Sequence, residues 1–282
     1  MADAGAMARR AIGIALADID GEVAEAMRYS TAGGKGFRAF LVSEGARLHG
    51  ISNDAIAPVA GAIEAIHAYS LVHDDLPCMD DDDMRRGQLT VHRKWDEAIA
   101  VLAGDGLQTI AYQLIADADD LIADQKTDLI GSLARASGIH GMVGGQEMDI
   151  VAEKRAEPMS IDEITKLQAG KTGALITWSA TAGPVLMSSD IAPLKTYGDA
   201  LGLAFQIADD VLDIEGDPSA TGKAVGKDEG RGKATFVSLL GLDGAKRRAT
   251  ELVDTAIDAL HSYDENADLL RELARFAVER DR

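Results

Sequence analysis

Six carboxylates fall within ten residues in the stretch HDDLPCMDDDDMRRG, residues 73–87. Asp74 and Asp75 close an apolar run, Pro77 intervenes, and Asp80, Asp81, Asp82 and Asp83 follow, with Arg85 and Arg86 soon after. Unit charges about 4 Å apart repel by roughly 1 kcal/mol even in bulk water, so a cation belongs among these side chains. An all-oxygen ligand set suits Mg2+, which holds phosphates through one or two carboxylates and keeps several of its waters. The arginine pair fits the same chemistry, because guanidinium binds phosphate oxygens through two parallel hydrogen bonds. An acidic run in an acidic chain is ordinarily a solvated loop, and the alternating pattern and closing glutamate of a calcium loop are missing. A second acidic stretch lifts the first above that reading. In FQIADDVLDIEGD, residues 205–217, Asp209 and Asp213 lie one helical turn apart and so share a face, with Gln206 and Gly202 on the turns before. The Gly- and Lys-rich stretch 221–236 follows at once, carrying Lys223, Lys227 and Lys233. Lysines spaced by glycines beside an aspartate pair suit a flap that closes on phosphate.

The elements that must position these groups read as helices. Residues 6–30 are amphipathic and end before Gly33 and Gly34. In GGKGFRAFL, Lys35 and Arg38 share a face if a helix begins there, and a Gly-Gly pair opening a helix with bases in its first turn suits an anion. Residues 54–75 follow the 3.6 period through Ile56, Val59, Ile63, Ile66 and Ser70. The spacing of Ile63, His67, Ser70 and Asp74 puts His67 on the face of Asp74. Pro77 ends this helix, so Asp80 must return toward Asp74 through a loop. Residues 94–116, 126–150, 190–214, 243–262 and 266–280 give further helices, and Gln146 and Asp149 stand three apart in GGQEMD. Ser160 with Glu163 makes a capping box. The helix it opens has the stripe Ile164, Leu167, Lys171, Leu175, Trp178, in which Lys171 interrupts an apolar face.

The 282 residues show no Pro/Gly/Ser-rich linker, which predicts a single domain over 1–282. With 46% apolar residues, 4% aromatics and 6 prolines, the composition favours an all-α core over a sandwich or barrel. A formal charge of −19 argues against nucleic acid as a partner. Cys78 is the single cysteine, which excludes an intrachain disulfide and fits a reducing cytoplasm. The apolar run after Arg9 and Arg10 is short and soon acidic, unlike a signal peptide or membrane span, so no stable membrane insertion is expected.

There is no nucleotide-binding GxxxxGK[ST] loop and no nucleophile elbow. Two aspartate-rich sites with bases around both predict a cavity for a diphosphate held by divalent ions, and apolar helical walls predict a hydrocarbon tail. Neutralising the diphosphate makes it a leaving group, and a dry cavity shelters the cation left behind. The residues alone thus point to ionisation of an apolar diphosphate.

In order, GGKGFR, DDLPCMD (74–80), GGQEMD, Lys171-Thr172, FQIADD, DDVLD (209–213) and GKATF resemble the motifs of the short-chain trans-prenyl diphosphate synthases, most of all the bacterial members that make farnesyl diphosphate. The resemblance runs from about Glu22 to the end. It implies an all-α isoprenoid synthase bundle around a central cavity, a homodimer, and head-to-tail condensation of isopentenyl diphosphate with an allylic diphosphate. It implies Asp74, Asp80 and Asp209 as principal Mg2+ ligands, supported by Asp75, Asp210 and Asp213. Arg85, Lys171, Lys223 and Lys233 would bind the allylic diphosphate, and Lys35, Arg38, His67 and Arg86 the isopentenyl one. Thr172, Gln206 and the Lys171 carbonyl would stabilise the allylic cation, and the departing diphosphate would remove the proton. Tyr69, with little help from Ser70, would set the product at fifteen carbons. The competing readings are a geranylgeranyl diphosphate synthase and a non-catalytic synthase subunit. Members of the family usually read GGKRxRP, whereas this chain has Gly36 and Ala39. The expectation is weaker isopentenyl diphosphate binding, which Gly36→Arg would restore.

Overall fold

The computed structural model describes residues 1–155, 157–215 and 235–279. Among them the backbone is almost wholly helical and divides into two compact units. The first comprises residues 1–130 and 185–187, the second the remainder.

The first unit is built on α4 (Asn53–Asp74), which begins at the Ser52 cap, where Ala55 N–H donates to Ser52 Oγ at 3.3 Å. It packs against α1 (Ala2–Ala15), α2 (Glu22–Thr31), α3 (Phe37–Leu48) and α6 (Glu97–Ala116). Ile56, Ile63 and Ile66 of α4 are fully buried together with Ile12, Leu41, Leu107 and Ile115. Small residues let these helices close up. A Cβ at Gly104 would collide with the His73 ring, and one at Gly106 would sit 2.8 Å from the Met27 sulfur. Helices α4 and α6 are long and apolar enough to cross a membrane by length and composition, yet they pack on each other as core helices. Residues 6–30 are not one helix. Asp18, Asp20 and Gly21 break them, and Gly21 takes a left-handed φ of 108° that lets the chain turn between α1 and α2.

A two-residue hairpin, β1 (Met84–Arg85) against β2 (Gln88–Leu89), follows the acidic loop, with Met84 opposite Leu89. Arg86 and Gly87 form its turn with φ of 53° and 75°, the two positive values of a type I′ turn. Short α5 (Val91–Lys94) comes next, where Lys94 Nζ lies 3.6 Å from the Tyr29 ring centroid.

The chain enters the second unit within α7 (Ala123–Ser137). The expected helix over 126–150 is broken around Gly138 and Gly141, and α8 (Met142–Ala152) is a separate element. The capping box forms as expected at α9 (Ile161–Gln168), with Glu163 N–H donating to Ser160 Oγ at 3.3 Å and Ser160 N–H to Glu163 Oε2 at 2.8 Å. A π turn, Ala169–Gly173, leads into α10 (Ala174–Leu186). The spine is α11 (Ala192–Glu215), packed on α13 (Leu242–Ala259). Short α12 (Phe236–Leu240) and terminal α14 (Asp268–Glu279) complete the unit, with Tyr197 Oη donating to the Leu270 carbonyl at 2.8 Å.

Candidate active site

In the first unit, the loop after α4 does what the proline demands. Asp80 N–H donates to the Asp74 carbonyl at 2.8 Å, and Asp82 N–H to the Asp75 carbonyl at 3.3 Å. Asp81 takes a left-handed φ of 52° to close the return. The two ends of DDLPCMD are thus tied together by backbone, which brings Asp80 back to the end of the helix carrying Asp74.

Asp75 has a different employment. Only 3% exposed, it accepts from Arg85 through Nε at 2.8 Å and Nη2 at 2.5 Å. Burial works against the Arg85 charge, but the hydrogen bond and charge of Asp75, with Asp82 and Asp74 behind it, raise its pKa overall. Asp75 therefore orients Arg85, whose Nη1 has no partner among the described residues.

The expected isopentenyl diphosphate residues largely converge. Arg38 lies in the first turn of α3, and its Nε is buried with no hydrogen-bond partner. Its pKa is lowered by burial first and by Arg86, with Glu64 opposing. His67, on the middle of α4, is held well below 6.5 by burial, then by the charges of Arg38, Arg86 and Arg85. The Arg86 guanidinium lies against the glycine pair, where a Cβ at Gly34 would stand 2.8 Å from its Nη1. This explains why glycines precede Lys35. Lys35 itself is exposed just before α3. A cavity of about 270 Å³ is lined by Gly33, Gly34, Asp75, Arg85 and Arg86 on its polar side and by Leu71, Val72 and Val91 on its apolar side.

Neutral His67 has a consequence for stability. Below pH 6.5 the unfolded chain takes a proton that the folded chain refuses, so stability falls as pH drops from 6.5 toward the folded value. The loss deepens as pH falls below 6.5 and is read as a lowered Tm. Melting curves at neutral and mildly acid pH should show this loss in the native chain and a smaller one in His67→Gln. An equal loss in both would remove His67 as its source.

Sequence reasoning missed Glu64. It sits one turn before His67, accepts from Ala39 N–H at 2.9 Å, and is the carboxylate that offsets both Arg38 and Arg86. Its spacing to His67 on an apolar helix was the available signal. The bond also explains Ala39, since proline there would have no N–H to give.

Gly36 overturns an expectation. It has a φ of 66°, and a Cβ on it would stand 2.5 Å from Gly5 Cα and 2.8 Å from Gly5 N. The position is filled by the backbone of α1, so no larger side chain fits without displacing that helix.

Tyr69 is 5% exposed and stands edge-on to the His73 ring at 5.7 Å. Burial raises its phenol pKa, Gln108 opposes the shift, and Tyr112 and Asp74 add to it. Ser70 is half-buried, its hydroxyl donating to the His67 carbonyl at 2.9 Å.

In the second unit, Lys171 and Thr172 sit on the π turn, a distortion frequent at functional sites. Glycines fix this turn. A Cβ at Gly145 of α8 would overlap the Lys171 backbone, and one at Gly202 of α11 would stand 2.9 Å from Gly173 Cα. Lys171 Nζ is paired with Asp149 Oδ2 at 2.5 Å, which resolves the cost of a lysine in an apolar stripe. Thr172 Oγ1 donates to Gln206 Oε1 at 3.3 Å, and Gln206 Nε2 donates to Asp210 Oδ1 at 3.2 Å. Asp210, 6% exposed, also accepts from Phe236 N–H at 2.9 Å. It thereby ties α11 to α12, while Asp209 and Asp213 occupy the half-buried face of α11 one turn apart. Lys223, Lys227 and Lys233 lie outside the described residues.

For a divalent ion the donors are oxygen only and half-buried: Asp74 and Asp80 at the first motif, Asp209 and Asp213 at the second. The bracing of Asp80 on Asp74 by backbone fits such a ligand pair. Among the described residues no group of three ligating side chains is already gathered.

The chain matches the polyprenyl synthetase family model over residues 20–273. It is 42% identical to the farnesyl diphosphate synthase of Escherichia coli over 271 residues, covering 92% of this chain and 90% of that one. The farnesyl diphosphate synthase of Bacillus subtilis is 40% identical over 270 residues, covering 94% and 90%. Among solved structures, an FPP/GFPP synthase from Zymomonas mobilis, in its apo form, aligns with a TM-score of 0.90 at 42% identity over 99% of this chain and 97% of that one. A geranylgeranyl pyrophosphate synthetase from Pyrococcus horikoshii aligns at 0.87 with 32% identity over 97% and 95%. With its all-α isoprenoid synthase fold, the chain belongs to the polyprenyl synthetase family.

Proposed function

We propose that this chain condenses isopentenyl diphosphate head to tail with dimethylallyl and then geranyl diphosphate, releasing farnesyl diphosphate. The observation that carries the reading is the cluster of Arg38, Arg86 and His67, with an orphaned buried guanidinium nitrogen, in a chain of net charge −19. Such a cluster calls for an anion, and the farnesyl synthases of comparable sequence supply the substrate class.

In this reading Arg85, fixed by Asp75, and Lys171, fixed by Asp149, hold the allylic diphosphate, with Lys223 and Lys233 assisting. Mg2+ ions on Asp74, Asp80, Asp209 and Asp213 would neutralise that diphosphate and make it a better leaving group. Breaking the allylic C–O bond leaves a cation, toward which the Thr172 hydroxyl oxygen, the Gln206 amide oxygen and the Lys171 carbonyl turn their negative dipole ends. Isopentenyl diphosphate, held by Lys35, Arg38, His67 and Arg86, adds its terminal alkene carbon to the cation. Loss of a proton to the departed diphosphate then restores a double bond. Asp75 and Asp210 serve by orienting Arg85 and Gln206. The enzyme works as a cytoplasmic homodimer, a reading supported by the exposed Cys78 thiol and the exposed Val101 and Leu102 on α6.

The assay is incorporation of radiolabelled isopentenyl diphosphate with dimethylallyl or geranyl diphosphate, followed by chromatography of the dephosphorylated product. A fifteen-carbon product is expected, and twenty carbons would favour the geranylgeranyl alternative. Each buried methylene contributes about 0.8 kcal/mol, so a growing chain lengthens unless blocked. Tyr69→Ala, removing the proposed floor, should shift product to twenty carbons or more. Identical product lengths from both enzymes would rule Tyr69 out.

A further inference from the structure

We propose that Arg9, on the N-terminal helix, is a phosphate-binding residue for isopentenyl diphosphate, an assignment that rests on the function proposed above. Helix α1 is seated against the glycine loop by backbone, because Gly5 and Gly36 approach so closely that neither has room for a freely placed Cβ. Ala4, Ala8 and Ile12 bury the adjoining face of α1. Arg9 stands one turn beyond Gly5, and its Nη1 lies 3.2 Å from where a Gly5 Cβ would be. The contact that excludes a side chain at Gly36 therefore also delivers the Arg9 guanidinium to this place.

There Arg9 lines a small cavity with Gly33, Glu64, His67 and Arg86. Its volume of about 20 Å³ has room for one oxygen-sized group. Arg86 and Gly33 also line the 270 Å³ cavity described above. Glu64 is the one carboxylate among the residues lining the small cavity, and it already accepts from Ala39 N–H while offsetting Arg38 and Arg86. The Arg9 side chain makes no hydrogen bond or ion pair with any described residue. Two guanidinium groups, Arg9 and Arg86, thus line this cavity with one carboxylate, which Arg38 also draws on, so the cavity itself is short of negative charge. A phosphate oxygen in the small cavity would supply it, and the planar fork of Arg9 suits such an oxygen.

The test compares Arg9→Ala, Arg9→Lys and Arg10→Ala with the native chain by steady-state kinetics and thermal melting, Mg2+ being saturating. Arg10 lines a different groove with Asp54 and Asp117 and serves as the control. A charged hydrogen bond lost to alanine should raise KM for isopentenyl diphosphate about 10- to 100-fold. The expected kcat, allylic KM and Tm stay near native values, Arg9→Lys recovers part of the loss, and Arg10→Ala changes nothing. An isopentenyl diphosphate KM within about two-fold of native in Arg9→Ala overturns the assignment while leaving the proposed function standing. A joint fall of kcat, both KM values and Tm in the Arg9 variants also overturns it, as a packing role. A native chain that incorporates no isopentenyl diphosphate defeats the function itself, and the assignment with it.

Discussion

Asp209→Ala is expected to cut turnover by ~10²–10³-fold while leaving the melting temperature near its native value. Asp209 and Asp213 lie one turn apart on the half-buried face of α11, and removing an electrostatic group of this kind costs ~3–4 kcal/mol in the barrier. Its neighbour gives the contrast. Asp210 accepts from the Phe236 N–H and the Gln206 amide, and it is buried. Asp210→Ala would leave those donors without an acceptor, at roughly 1–3 kcal/mol each, and should lower both turnover and Tm. Measuring kcat at saturating Mg2+ alongside thermal melts separates the two. Near-native turnover in Asp209→Ala would remove Asp209 from the metal-binding set, whatever the melt shows.

Gly36→Arg should damage the protein, although family comparison of the motif alone suggests improvement. A non-glycine residue in the left-handed region costs roughly 1–2 kcal/mol, and here the Cβ itself would stand 2.5 Å from Gly5 Cα. Both penalties apply to alanine as well as arginine, so Gly36→Ala and Gly36→Arg should lose similar stability, together on the order of 3 kcal/mol and 5–10 °C in Tm. Gly5→Ala, whose Cβ would stand 3.2 Å from Gly36 Cα, should lose less. Because the collision lifts α1 away from the loop, KM for isopentenyl diphosphate should rise in both Gly36 variants. A Gly36→Arg protein with native Tm and a lowered KM would show that α1 does not sit where the glycines place it.

The sequence was most readable where one residue's chemistry forced a local geometry. Pro77 had to end α4, and the return of Asp80 to the Asp74 carbonyl followed. Ser160 and Glu163 had to cap α9, and they do. His67 could be placed with Asp74 from spacing alone, and its company of arginines came with the motif order. What was not readable is long-range pairing. Nothing near Ala39 in the chain says that its N–H meets Glu64, and nothing near Gly36 says that Gly5 will occupy its side-chain space. Both departures from the family motif looked like losses because their compensating partners lie elsewhere in the chain. Asp75 and Asp210 were likewise grouped with their aspartate neighbours, since adjacency cannot show which carboxylate turns inward to a protein donor. The break between α1 and α2 was missed because the residues after Gly21 are again amphipathic.

The π turn at Ala169–Gly173 makes chain length itself carry information. Such a turn accommodates one residue more than the α-helical path it interrupts. Taking one residue out of it would leave a continuous helix, hydrogen-bonded throughout and free of any obvious defect. The flanking helices would keep their register, because the α-helical path is the one this turn replaces, but the side chains within the turn would change direction. Lys171 would swing away from Asp149, and Gly173 from Gly202, in a protein whose helix content had, if anything, improved. A one-residue gap here in a related chain is therefore a sharper mark of altered chemistry than many substitutions, because the backbone would absorb it and the side chains would not.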